Sequence, residues 1–227
     1  LEDFEPTESD LAKLTLSQAD QWILNRYAFA AAEVNKALAN YKFNEAASIL
    51  YSFTWHEFCD WYIELSKDNL YGEDLSVRKA TQTVLFSVLE GLLRMLHPIL
   101  PFVTEEIWQT LPGKREVESI MQANYPTAAL IATDSAVVND MELVMDVIRA
   151  IRNVRGELDV PPGKRIKVLL DCKSELVVAA INAGQGYIHS LARVESLVVG
   201  VAIERPEQAS TQVTDEVEVL IPLAAVS

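Results

Sequence analysis

Trp22, Arg26, Phe29, Glu33 and Lys36 follow one another at intervals of four, three, four and three residues. On a helix that spacing gathers rings and charges into one stripe. Phe43 stands in the turn that follows. Such a stripe suits unpaired RNA, because rings stack on exposed bases while Arg and Lys hold phosphates. The alternative is a second packing face in which Arg26 pairs with Glu33. A second basic set comprises Arg149, Arg152 and Arg155, then Lys164, Arg165 and Lys167. Between 149 and 167 stand six basic and two acidic residues, in a chain with 19 Lys and Arg against 33 Asp and Glu. No aromatic residue is interleaved with this ridge, so it suits a sugar-phosphate backbone. Cations near a helix C-terminus also favour the dipole with no ligand at all.

Other chemistry is sparse. No Gly-rich phosphate loop or dinucleotide fingerprint occurs. His56, His97 and His189 share no metal spacing with Cys59 and Cys172. His56 could act as a base, or be a rim histidine bonded to a neighbour. Glu57, Asp60 and Glu64 recur at helical spacing, either to orient a ligand or as a solvated pairing edge. Two cysteines make no disulfide framework and point to a reducing compartment. No apolar run is long enough to span a membrane, and no signal peptide is recognisable. A net charge of −14 argues against a broad nucleic-acid footprint, so any RNA contact must be local.

The elements that must position these residues can be read in order. Residues 1–16 are acidic, contain Pro6 and read as a linker. Ser17 and Asp20 predict a helix start, and the helix runs from Gln18 to about Ala39. Residues 41–67 are dense in rings and read as a helix from about Asn44. Its predicted core face holds Ala47, Leu50, Tyr51, Thr54, Phe58, Trp61, Tyr62 and Leu65, with Ile49, Phe53, Cys59 and Ile63 on other sides. A helix that is apolar nearly all round is expected to be buried. A third helix spans about Ser76 to Leu96 and is stopped by Pro98. Thr104 is expected to cap a short fourth helix ending before Pro112. Residues 118–134 read as extended or irregular, and a helix covers about 135–155. Strands are predicted at 164–171, Leu197–Ile203 and Val213–Ile221, with a helical stretch over 174–192 broken near Gly184 and Gly186. The fold expected is an α-helical bundle over 1–117 followed by a small α+β domain over 118–227.

Several runs resemble the anticodon-binding region of valyl-tRNA synthetases, which are class I aminoacyl-tRNA synthetases. They are Ala19 to Arg26, Tyr41 to Ala47, Trp55-His56-Glu57-Phe58-Cys59-Asp60-Trp61-Tyr62-Ile63-Glu64 and Leu96 to Trp108. The last is shared with isoleucyl and leucyl relatives, whereas Phe58 to Tyr62 is more particular to the valyl family. Glu118 to Met121, Tyr125-Pro126, Ile151 to Arg155, Val160 to Lys164 and Ile221 to Leu223 agree. The resemblance covers essentially the whole chain. It implies a tRNA-recognition part that reads the valine anticodon loop in a cytoplasmic, monomeric enzyme that joins valine to its tRNA with ATP. The family's nucleotide-binding signatures and editing domain do not occur in this sequence, and the run of residues stops before the family's coiled coil. With Leu1 in place of an initiator Met, a piece of a longer chain is expected, itself without cofactor, working beside the catalytic domain of the same chain. The competing expectations are a helical interaction or scaffold module without RNA binding, and the equivalent isoleucyl or leucyl domain.

Overall fold

The computed structural model describes residues 4, 6, 11–114, 116–127, 130 and 135–223. Two compact units are present, Leu1–Ser135 and Ala136–Ser227. This division lies beyond the boundary near 117 read from the sequence. Residues 119–126 pack on the first unit: Ser119 donates to Glu105, Tyr125 to the Met95 carbonyl, and Asn35 to the Pro126 carbonyl. Half of the supposed linker, residues 1–3, 5 and 7–10, lies outside the described residues, and Leu11–Lys13 form a 3-10 turn with Leu11 buried. Phe4 is buried and its ring meets Phe86, so that part of it is packed.

The first unit is a helical bundle and the second an α+β domain, as the sequence predicts. Helix α1 (Gln18–Ala39) opens on a capping box: Ser17 accepts from the Asp20 amide while Asp20 accepts from the Ser17 amide. Helix α2 (Phe43–Ser52) leads without a break into a π-helical segment, Phe53–Tyr62, and then into α3 (Ile63–Tyr71). The π pattern is direct, since the Ile63 amide donates to the Phe58 carbonyl five residues back. It corrects the expectation of one α-helix buried all round. Buried positions run Ala46, Leu50, Phe53, Phe58, Tyr62, and the step of five from Phe53 to Phe58 reflects the wider turn. A strict 3.6 period placed Tyr51 in the core and Phe53 outside. Instead Phe53 is buried, while Tyr51 and Trp55 are more than half exposed.

Helix α4 (Leu75–Leu96) is capped by Asp74, which accepts from the Ser76 and Val77 amides. Helix α5 (Pro101–Thr110) begins with Pro101 in its first turn, where a missing N–H costs nothing. Thr104 is therefore not the cap. It sits inside the helix, donating to the Leu100 carbonyl and bonding the His97 ring at 2.7 Å. Residues 120–122 form a short 3-10 turn, and Ile120 packs against Leu93 and Trp108.

In the second unit, α6 (Ser135–Glu157) precedes β1 (Ile166–Cys172), α7 (Glu175–Ala183), α8 (Gln185–Leu191), β2 (Val194–Gly200), β3 (Ala209–Val213) and β4 (Val217–Pro222). The described strands form a sheet in the order β2-β1-β4-β3. β1 is parallel to β2 and antiparallel to β4, which is antiparallel to β3. The predicted strand at 197–203 begins earlier, at Val194. The predicted strand at 213–221 corresponds to β4 and the turn before it, and its hairpin partner β3 went unread. β3 is half-exposed and polar (Ser210, Thr211, Gln212), which gives it little hydrophobic signal.

Candidate nucleic-acid interface

Helix direction decides which side chains meet. Near the start of α1, Asp20 accepts from the Tyr62 hydroxyl at 2.7 Å and from the Thr81 hydroxyl at 3.0 Å. The beginning of α1, the end of the π segment and the first turns of α4 therefore share one end of the bundle. At the other end, Asn35 of α1 donates to Pro126, and Arg94 and Met95 of α4 bond Asn124 and Tyr125. The turn from α1 to α2 and the connection from α4 to α5 thus lie together.

That second end is apolar and exposed. Tyr41 is 81% and Phe43 63% exposed, and their rings meet edge-on with centroids 6.4 Å apart. Tyr41 has a φ of 58°, a left-handed conformation that turns the chain sharply out of α1. Ile99 and Leu100 of the two-proline connection and Phe102 in the first turn of α5 are exposed as well, Phe102 at 89%. An exposed ring pair of this kind is a candidate contact surface. Two cations border it, in loose exposed pairs: Lys36 with Glu33 at 3.4 Å and Lys42 with Glu45 at 2.9 Å. Pairs of this kind contribute about 0–1 kcal/mol, so a phosphate can displace the carboxylate at small cost.

The predicted stripe divides under this geometry. Phe43 and Lys36 belong to the exposed end. Trp22 does not: it is 2% exposed, and the expectation of a stacking ring there is corrected, because its position on α1 faces the bundle interior. Arg26 does not pair with Glu33. It makes a bidentate pair with Glu57 of the π segment at 2.7 and 2.8 Å and lies 5.1 Å from the Phe29 ring centroid. That fork ties α1 to the π segment and takes up the guanidinium. His56 is an exposed rim residue 3.4 Å from Asp60, and Glu64 pairs with Lys67. Glu57, Asp60 and Glu64 therefore have three separate partners, Arg26, His56 and Lys67. Sequence reading missed Tyr41, Ile99, Leu100 and Phe102. The signal available for them was the pair of prolines, Pro98 and Pro101, which lifts an apolar run out of helix.

The basic ridge is also not one row. Residues three apart on a helix fall about 60° short of a full turn, so Arg155 is rotated some 120° from Arg149. Arg149 is exposed and pairs with Asp146. Arg152 donates through Nε to the Leu191 carbonyl. Arg155 is buried and donates to the Pro161 carbonyl, which corrects its reading as an exposed backbone contact. Its burial, with Arg193 nearby, holds its pKa below the usual arginine value. Arg165 donates to the Val194 carbonyl, while Lys167 is exposed on β1. Among the described residues, no group of three or more His, Cys, Asp or Glu is placed to hold a metal, and no helix is long and apolar enough to cross a membrane. Burial and Asp171 push the Cys172 thiol up to about 11, a group too basic to act as a nucleophile near neutrality.

Residues 20–170 match the family model described as the anticodon-binding domain of tRNA ligase, and the chain belongs to that family. Similar curated proteins include valine–tRNA ligases. That of Syntrophotalea carbinolica is 58% identical over 224 residues, 99% of this chain and 25% of the relative. That of Geobacter sulfurreducens is 51% identical over 98% of this chain and 25% of the relative. That of Halalkalibacterium halodurans is 44% identical over 92% of this chain and 23% of the relative. The resemblance read from the motifs is borne out. The chain spans about a quarter of the length of these relatives.

Proposed function

We propose that this chain is the part of a valine–tRNA ligase that reads the anticodon loop of valine tRNA. The observation that carries the reading is the exposed Tyr41–Phe43 ring pair at the bundle end, bordered by Lys36 and Lys42, inside the family match. An anticodon loop displays unstacked bases, and each ring that stacks on one contributes about 1–3 kcal/mol. The division of labour has a physical reason. A hydrophobic amino-acid pocket separates valine from a near analogue by only about 1–3 kcal/mol per methylene. Reading the tRNA is a second, independent selection. Activation of valine with ATP would then belong to other parts of a cytoplasmic, monomeric enzyme, and this chain alone would need no cofactor and carry out no valine-dependent ATP–pyrophosphate exchange.

Binding of anticodon stem-loops to the Phe43→Ala variant tests the reading. Loss of one stacked base is expected to weaken the valine stem-loop about tenfold and a stem-loop with another anticodon much less. Equal affinities of variant and parent for both stem-loops would overturn it.

A further inference from the structure

We infer that the second unit holds a phosphate-binding site around the turn from α8 to β2, built by Arg193, Arg165 and Arg155. This goes beyond the anticodon reading, since it lies in the other unit and takes a phosphate rather than a base.

Four arginines from three separate stretches converge on one short piece of backbone. The Ile166 amide donates to the Arg193 carbonyl, and Ile166 lies opposite Val194 at the start of the parallel pair β1–β2. Arg165, one residue earlier, donates to the Val194 carbonyl at 3.2 Å. From α6, Arg152 donates to the Leu191 carbonyl at 3.0 Å. Arg155 lies close enough to Arg193 for the two charges to repel. Arg193 itself has a φ of 56°, a left-handed conformation that is uncommon for a non-glycine residue and is often found at functional turns.

Charge is what makes the cluster a site. Arg155 is 7% exposed. One terminal nitrogen donates to the Pro161 carbonyl at 3.0 Å, and the other is buried with no partner. Buried cations in proteins are normally paired. Among the described residues, no carboxylate lies within ion-pair distance of Arg155, Arg165 or Arg193. This is so although 33 Asp and Glu are available and other arginines of the chain do take carboxylate partners. A set of close, like charges around one turn is stabilised by an oxyanion. Phosphate fits best, because a guanidinium fork matches two of its oxygens. The exposed Arg193 and Arg165 supply the direct donors, and the buried Arg155 near Arg193 strengthens the field in a low dielectric. The same chemistry serves a phosphodiester of an RNA backbone or a free phosphate group.

The test uses the whole chain. Inorganic phosphate is titrated against chloride at matched ionic strength, following amide and guanidinium Nε–H resonances. Phosphate is expected to shift the Arg165 and Arg193 signals saturably, chloride not. Arg193→Gln, an exposed change that should leave the fold intact, is expected to weaken phosphate at least tenfold. Lys173→Gln removes an equal charge beyond the far end of β1 and is expected to leave it unchanged. A linear response alike for phosphate and chloride, or equal weakening in both variants, would overturn the site. Competition by single-stranded RNA, absent for a methylphosphonate strand of the same sequence, assigns the site to an RNA backbone. Phosphate binding without such competition assigns it to a free phosphate group. A valine stem-loop preference that survives Arg193→Gln separates this site from the anticodon reading.

Discussion

Removing the carboxylate of Asp20 should loosen the whole bundle. The residue is 1% exposed. One oxygen accepts from the Tyr62 hydroxyl at 2.7 Å. The other accepts from the Thr81 hydroxyl at 3.0 Å, the Ser17 hydroxyl at 2.7 Å and the Ser17 amide at 3.1 Å. Three segments of the first unit, α1, the π segment and α4, thus meet on one side chain. Asp20→Ala undoes the capping box, a loss of about 1 kcal/mol. It also leaves the Tyr62 and Thr81 hydroxyls in the core without their acceptor, about 1–3 kcal/mol each. Some relaxation of both hydroxyls is expected, so the total should fall near 3–5 kcal/mol. Tyr62→Phe removes a single donor and should cost about 1–2 kcal/mol. In the Asp20→Ala background it should cost almost nothing, because the bond it deletes is already gone. Urea unfolding followed by tryptophan fluorescence is the right assay. All four tryptophans, Trp22, Trp55, Trp61 and Trp108, lie in the first unit, so the signal reports that unit alone. An Asp20→Ala variant within about 1 kcal/mol of the parent, or additive effects of the two substitutions, would refute the argument.

Two further outcomes follow from the same bundle. Trp61, 9% exposed, should cost about 3–5 kcal/mol when changed to Ala, measured by the same unfolding curve; a midpoint close to the parent's would show that its ring contributes no packing. Burial pushes the Tyr27 hydroxyl up to about 12, opposed by Arg94 and aided by Glu90. The folded chain therefore keeps a proton that the unfolded chain releases near pH 10, and Tyr27 lowers stability as pH rises from about 10 to 12. Tyr27→Phe should flatten that decline and cost little near neutrality, since the buried hydroxyl has no partner; an unchanged alkaline decline in unfolding midpoints would contradict it.

Much of this molecule is written locally. Ser17 with Asp20, and the apolar period from Ala19 to Ala37, determine α1 because caps and a 3.6-residue stripe are properties of a short stretch of backbone. Pro98 ends the run of α4 for an equally local reason, and the short apolar run from Ile166 to Leu170 marks β1 whatever its neighbours. The family, too, was legible, because its motifs are runs of adjacent residues such as Phe58 to Tyr62. The tertiary structure decided the rest. The π segment widens the turn between Phe53 and Phe58, which exchanged the places of Phe53 and Tyr51; no 3.6-residue template could carry that change. Arg26 found Glu57, 31 residues away, rather than the nearby Glu33, because antiparallel packing set the two side chains at one level. Tyr41 met Phe43 edge-on because the left-handed turn after α1 folds the chain back there, a conformation that no periodic template carries. Arg193 stood alone in the sequence, and its meeting with Arg155 and Arg165 depends on β1 and β2 running parallel from a shared starting edge. Spacing along a chain fixes angles about one axis; which axes lie side by side is settled by packing.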